Sequence, residues 1–283
     1  LYYEEEADYG AGGKGYKGNK WEFKKFLEDA KKLNISGNII DVGCGSGEFL
    51  KLAVQAGLNA FGVDYNKFAI QIAHNSGLVQ TRVGSVFESP KFFGNIKYDA
   101  VTLFHVLEHL DEPTQALQFI KEILNPRGIL SIAVPNSKRS FLKINPRKKR
   151  EGWDYPPNHL TRWNSVGLSN FLSSNGFEIL EIVEEHVSTL TQNLEFLKGL
   201  LNFLTSTGIV AKFKQDQVHK TKKESREKTS NFMKPMFFKS GVFAKNIIIY
   251  IFALTLLPLS YLISKFIFIK GVNLYILGRK VIL

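Results

Sequence analysis

The 283-residue chain is 44% hydrophobic and 13% aromatic, enough to bury a full core, and its formal net charge of +11 points to acidic or anionic partners. A single cysteine, Cys44, excludes an intrachain disulfide, and no signal-peptide pattern is legible at the start, so a disulfide-stapled secreted fold is not expected.

Residues 8–19, rich in Gly, Tyr and Lys, read as a loop before a helix over Trp21–Leu33. Ile39 and Ile40 then lead into Asp41-Val42-Gly43-Cys44-Gly45-Ser46-Gly47-Glu48-Phe49, where a strand, a glycine turn and a helix start coincide. Glycines at 43, 45 and 47 allow positive φ and a close ligand approach that a Cβ would block. Glu48 stands where a dinucleotide fingerprint needs its third small residue, which argues against an NAD site. After a helix over Gly47–Ala56, closed by Gly57, the strand Asn59–Asp64 ends in a carboxylate able to accept ribose hydroxyls. A helical run over Asn66–Ser76, a strand over Val79–Gly84 and the turn at Ser85-Val86 follow. The fourth strand, Tyr98–Phe104, runs into His105-Val106-Leu107-Glu108-His109-Leu110.

Glu112-Pro113 opens the next helix, with Leu117, Ile120 and Leu124 at helical spacing and Asn125–Gly128 as its stop. Ile129–Val134 is continuous and apolar, as in a strand buried on both faces, and Pro135-Asn136 breaks it. Asn164 caps a helix that runs through Leu172 to Gly176, and Phe177–Glu184 forms another strand. Strands alternating with helices predict right-handed crossovers and a parallel sheet.

The segment Asp41–Phe49, with Asp64 and His105–Leu110, resembles motif I, the ribose acid and the post-strand segment of class I S-adenosylmethionine (SAM) methyltransferases. Within that class the chain is similar to ubiquinone-biosynthesis-type O-methyltransferases. The resemblance covers residues 21–187 and implies a Rossmann-like, seven-stranded, mostly parallel α/β sheet with helices on both faces. It also implies a last strand over Asn273–Lys280, slotted antiparallel between the fifth and sixth. The division expected is a leader over 1–36, a SAM-binding domain over 37–187 plus 272–283, and a helical insertion over 188–271. The leader either covers the SAM pocket or is a frayed terminus.

As the resemblance implies, Asp41 lies near the methionine ammonium, Gly43, Cys44, Gly45 and Gly47 pass under the nucleoside, and Asp64 with Tyr65 meets the ribose. Ser85 and Val86 face the adenine, where Ser85 departs from the usual Asp, and Phe104 and His105 line the pocket. Methyl transfer to a hydroxyl needs a base. His159 takes that role in this reading, with a loop histidine bonded to backbone as the alternative. His109, Lys148, Arg150, Trp153 and Tyr155 are the acceptor-binding candidates, since ligands bind beyond the carboxyl ends of strands. His105, Glu108 and His109 also admit a metal reading, because the resembling enzymes use this segment around a divalent cation. His105 replaces a Glu there, so no metal is expected.

The insertion carries a leucine stripe from Leu190 to Leu204, then ten Lys or Arg against three acids over Lys212–Lys245, then an uncharged run over Ile247–Ser264 interrupted by Pro258. If the last strand rejoins the sheet, both ends of the insertion share one side of any membrane. The expectation is therefore a hairpin or kinked interfacial helix on one leaflet, with packing on protein or a homo-oligomer as the alternative. The basic loop over 138–150 suggests an anionic small-molecule, glycan or lipid-linked acceptor, with solvent or headgroup contact as the alternative. Nucleic acid is not an expected partner, because Tyr155-Pro156-Pro157-Asn158 follows the fifth strand whereas DNA amino-methyltransferases carry such a motif after the fourth. A cytoplasmic enzyme, peripheral or monotopic on the inner face of the membrane, is the reading; a soluble small-molecule O- or N-methyltransferase or a non-catalytic scaffold are the competitors.

Overall fold

A computed structural model describes residues 20–138, 156–185 and 273–282. They form seven strands and six α-helices in the order α1 (Trp21–Lys32), β1 (Asn38–Val42), α2 (Glu48–Gln55), β2 (Asn59–Asp64), α3 (Lys67–Asn75), β3 (Thr81–Val83), α4 (Ser89–Phe93), β4 (Tyr98–Phe104), α5 (Pro113–Ile123), β5 (Leu124–Pro135), α6 (Ser165–Ser174), β6 (Phe177–Glu184) and β7 (Asn273–Lys280). The strands make one sheet in the order β3-β2-β1-β4-β5-β7-β6. The first five run parallel, and β7 lies antiparallel between β5 and β6.

The central strands are apolar because both of their faces are covered. On one face Ile40, Val101, Leu103, Leu117, Ile120, Leu130 and Ile132 share a core; on the other, Ile39, Leu50, Ala100 and Tyr275 pack with Phe23, Phe26, Phe49 and Phe104. Edge-to-face contacts join Phe49 to Phe104 at 5.0 Å and Phe26 to Phe49 at 5.5 Å. Helix α1 thereby belongs to the core. It is tied further by Lys25, whose ammonium meets Asp29 at 2.6 Å and Glu181 of β6 at 2.5 Å, and by the Tyr275 hydroxyl, which donates to Asp29 at 2.9 Å.

Three boundaries differ from the sequence reading. β3 is three residues long, because its flanks turn away to join α3 and the Ser85 corner. Leu124 ends no helix: it opens β5 opposite Tyr98, with a register shift before Ile129 pairs with Ala100. Segment 107–109 is a single 3-10 turn, too short to place side chains at 105 and 109 on one helical face. Among the described residues no helix is long and apolar enough to cross a membrane. The leader loop 1–19, the basic loop from 139 to 155 and the insertion over 188–271, with its uncharged run, lie outside the described residues.

Candidate active site

The carboxyl ends of β1, β2 and β4 carry the chemistry. Asp41 is the fourth residue of β1, between β2 and β4, and is 3% exposed. Thr102 Oγ1 donates to its carboxylate at 2.6 Å. Burial raises its pKa to about 7; the Thr102 hydrogen bond opposes the shift, and the charge of Asp64 adds to it. Asp64 closes β2, where Gly45 N–H and Asn66 N–H each donate to one of its carboxylate oxygens at 2.8 Å. Burial raises its pKa too, against those two backbone donors. Each Asp64 oxygen keeps a second lone pair for hydroxyl donors. Asn66 fixes the direction of α3 by accepting from Phe68 N–H and Ala69 N–H.

The glycine turn owes its composition to more than a ligand. Gly43, Gly45 and Gly47 have φ of 72°, 53° and 81°. A Cβ at Gly43 would strike Val106, and one at Gly47 would strike Leu78, so at those two positions protein packing itself excludes a side chain. Gly43 N–H and Cys44 N–H both donate to Val63 O, at 2.8 and 3.1 Å, which folds the turn back over β2. Cys44 is buried, and burial pushes its thiol pKa up, so it behaves as an inert packing residue.

Around this turn the other candidates divide. Tyr65 is 67% exposed beside Asp64, a free aromatic face at the cofactor end. Val86 is buried. Ser85 N–H donates to Glu88 Oε2 at 3.0 Å, and the two form a capping box over the 3-10 turn Val86–Glu88. Glu88 thus places a carboxylate at this corner, where it accepts from Ser85. Phe104 turns its ring into the aromatic core, leaving only its main chain for a ligand.

Beyond β4 a second group of polar side chains gathers. His105 sits at φ 60°, with its N–H bonded to Ala133 O at 2.8 Å. Its ring lies between two carboxylates, Nε2 at 3.0 Å from Glu22 and Nδ1 at 3.6 Å from Glu108. Burial alone would lower the histidine pKa, but pairing with Glu108 and Glu22 raises it, while Glu22, despite its own burial, is lowered by His105. At 3.6 Å the Glu108 contact is an ion pair rather than a hydrogen bond, and both Glu108 oxygens lack a hydrogen-bond donor among the described residues. The Glu108 main-chain carbonyl accepts from Leu160 N–H at 2.8 Å and Thr161 N–H at 3.2 Å, which draws the 156–163 segment onto this turn. His159 therefore arrives beside His109, ring centroids 4.8 Å apart and edge to face. His109 Nδ1 lies 2.6 Å from Asn158 O. A carbonyl only accepts, so Nδ1 carries the proton and Nε2 the lone pair of the neutral ring. Glu108, His109 and His159 bring one donor atom each within 4.8 Å of one another, a spacing that can also hold a cation. His105 is not in that trio: the helical grouping of 105, 108 and 109 read from spacing is replaced by 108, 109 and 159. Lys148, Arg150, Trp153 and Tyr155 lie outside the described residues.

A family model described as a methyltransferase domain matches residues 20–182, more than half of the chain. The chain belongs to the methyltransferase-domain family. Curated relatives bear the name ubiquinone biosynthesis O-methyltransferase. One from Actinobacillus pleuropneumoniae serotype 7 is 29% identical over 106 residues, covering 35% of this chain and 45% of the relative. One from Glaesserella parasuis serovar 5 is 26% identical over 195 residues, covering 62% and 79%. The chain spans about half the length of most of the curated relatives it matches. A SAM-dependent methyltransferase from Archaeoglobus fulgidus has a similar fold, with 17% identity, a TM-score of 0.53 and coverage of 91% and 94%.

SAM is the cofactor of this class I methyltransferase family, and the residues present suit it. A desolvated Asp41 and a two-donor Asp64 leave negative charge and lone pairs at the strand ends, which a sulfonium nucleoside with an ammonium group can take up. For the methyltransferase, sequence reasoning passed over Glu22, Thr102 and Glu88. Only Glu88 had a local signal, the Ser-x-x-Glu pattern from 85 to 88; Glu22 and Thr102 reach the site through tertiary packing.

Proposed function

We propose that this methyltransferase transfers the SAM methyl group to a hydroxyl oxygen of an anionic or lipid-linked acceptor, a glycan precursor being the class in mind, at a membrane surface. The observation that carries the oxygen chemistry is the His109–His159 pair beside a buried Glu108, at the strand ends next to the cofactor residues. The names of the curated relatives, O-methyltransferases of ubiquinone biosynthesis, support the same reaction type. The net charge of +11 and the uncharged run over Ile247–Ser264 support an anionic, membrane-held acceptor.

When bound, SAM supplies an electrophilic methyl on a sulfonium. Asp41 and Asp64 would hold the cofactor by its ammonium and ribose, Gly45 N–H keeps the Asp64 carboxylate in place, and α1 with its phenylalanines would shield one side from water. His159 accepts the acceptor's hydroxyl proton on a ring nitrogen, and His109, its tautomer fixed by Asn158, packs on the ring edge and orients it. A divalent cation is not part of this reading, because His105 stands where the resembling enzymes carry a Glu, and its ring faces Glu108 at 3.6 Å. The experiment is a methyl-transfer assay combined with mass spectrometry of membrane lipid and glycan extracts, with and without the protein. A 14-dalton gain on a hydroxyl of an anionic species is the expected result; turnover only on soluble neutral acceptors or on amines would overturn it.

A further inference from the structure

At the amino ends of the strands, the edge opposite Asp41 and Asp64, a cavity of about 340 Å³ opens between the 33–37 loop, the start of β4, residues 125–128 of β5 and Arg279 of β7. Its β5 wall follows from the register slip: Leu124 faces Tyr98 and Ile129 faces Ala100, so residues 125–128 bulge out opposite Asp99. Asp99 locks the walls together. Its Oδ2 accepts from Asn38 N–H at 2.9 Å and its Oδ1 from Asn125 Nδ2 at 2.8 Å, and a Cβ at Gly37 would strike the same carboxylate. Within the bulge Arg127 sits at φ 61°, a conformation that turns and bulges normally give to glycine. Holding a long cationic side chain there costs backbone energy that glycine would not, which points to a use for the guanidinium. No hydrogen bond or ion pair engages Arg127 among the described residues. Arg279 brings the second guanidinium. It lies 3.9 Å from Glu178, whose side chain is 59% exposed, a contact too long and too wet to occupy its donors. The exposed Asn34 and Ser36 line the facing loop, and two arginines against Asp99 leave the lining with an excess of positive charge.

We propose that this cavity is a second ligand site, separate from the methyl-transfer site, which binds the phosphate group of a small dissolved metabolite between Arg127 and Arg279. A planar guanidinium meets phosphate oxygens through paired N–H donors, and two guanidiniums from different strands can share one dianion. Asp99 spends one lone pair per oxygen on the walls and keeps others for a ligand hydroxyl, so a phosphate that carries hydroxyls suits the lining better than inorganic phosphate. The volume falls at the small end of ligand sites, about 300 to 1,000 Å³, which fits a sugar phosphate rather than a dinucleotide. A lipid headgroup offers the same phosphate chemistry. However, β6 ends at Glu184 and β7 begins at Asn273, both at the opposite, carboxyl edge, so the uncharged run between them gives no reason to place a lipid here. The site does not depend on which acceptor is methylated.

The test uses the full chain, titrated calorimetrically with glucose 6-phosphate, inorganic phosphate and glucose, with thermal melts of the same mixtures. Pelleting with phosphatidylcholine vesicles that contain phosphatidic acid runs beside it, and SAM affinity is measured for each variant. The variants are Arg127→Gly, Arg279→Gln, the two combined, and Lys31→Gln. Glycine suits φ 61°, so Arg127→Gly should melt no lower than the unaltered chain, and a loss of binding then reports the side chain rather than the fold. Saturable binding of glucose 6-phosphate is expected, with inorganic phosphate weaker and glucose silent. Each arginine variant should weaken glucose 6-phosphate roughly tenfold or more, with SAM affinity unchanged. The rise in Tm that the ligand causes should vanish in the double variant. Lys31, an exposed lysine in the last turn of α1 outside the lining, controls for diffuse charge, and Lys31→Gln should bind as the unaltered chain does. Three results would each overturn the site: no saturable binding of either phosphate, binding that survives the double variant, or an equal loss in Lys31→Gln. Arginine-dependent pelleting with the vesicles, without binding of the soluble phosphates, overturns the assignment to a dissolved metabolite.

Discussion

The carboxyl edge of the sheet holds acids in two opposite situations. Over β1 and β2, Asp41 and Asp64 are desolvated and receive only neutral donors, the Thr102 hydroxyl and the peptide N–H groups of Gly45 and Asn66. Over β4, Glu22 and Glu108 share the ring of His105 and raise its pKa. The first region carries the burial cost in raised carboxyl pKa values; the second sets its carboxylates against a histidine ring whose pKa they raise. The proposed function places the cationic cofactor at the first and proton transfer beside the second. The two ends differ in what meets the carboxylates: hydroxyl and peptide donors at Asp41 and Asp64, a histidine ring at Glu22 and Glu108.

The largest effect that would break this division is at the acceptor end. His159→Ala is expected to lower turnover by about 10² to 10⁴ with SAM affinity nearly intact. Steady-state kinetics beside calorimetry would check it, and equal losses in both would make His159 structural. At the cofactor end, Asp64→Ala is expected to weaken SAM by about 3 kcal/mol or more, over a hundredfold, through lost charge-assisted bonds. Gly45→Val should abolish binding by placing a β-branched residue at φ 53° and displacing the N–H that holds Asp64. Calorimetry showing native SAM affinity for Asp64→Ala would remove the cofactor assignment.

The pH dependence sharpens the contrast. Asp41 titrates near pH 7 in the free protein, and a bound ammonium favours its ionised form, so protons compete with SAM. Affinity should be highest above pH 7 and fall about tenfold between pH 8 and pH 6. Asp41→Asn should flatten that slope while weakening binding at pH 8. The stability of the free protein carries the opposite sign. Because the folded-state pKa lies above the ordinary aspartate value of 3.8, ionising Asp41 costs stability increasingly as pH rises from about 4 to 7. Asp41→Asn, which still offers an oxygen to Thr102, should therefore raise Tm at pH 8 and change it little at pH 4. The smallest effect expected is from a chelator, which should leave turnover unchanged; metal-dependent turnover would instead turn the Glu108, His109 and His159 trio into a cation site.

Most strands and helices were legible because each pairs a periodicity with a chemical stop, such as Gly57 after α2, Asn164 before α6 and the apolar Ile129–Val134 run. The Leu124 boundary was not, since an apolar residue at helical spacing also suits the first position of a strand whose register then slips. The glycines at 43 and 47 were legible as necessary, but their reason was only partly so: Val106 and Leu78 occupy the space as surely as a ligand would.

By itself the sequence determined the parallel α/β order and the acids at the ends of β1 and β2, because strand alternation and turn residues act over short distances along the chain, while the antiparallel place of β7 came from the family resemblance. Only the tertiary structure decided which charges meet. Glu22 reaches His105 across 83 positions, and His159 reaches His109 because Leu160 and Thr161 hydrogen-bond to the Glu108 carbonyl. Such pairings depend on packing distances of a few ångströms between elements far apart in the chain, and a local pattern of residues carries no record of them.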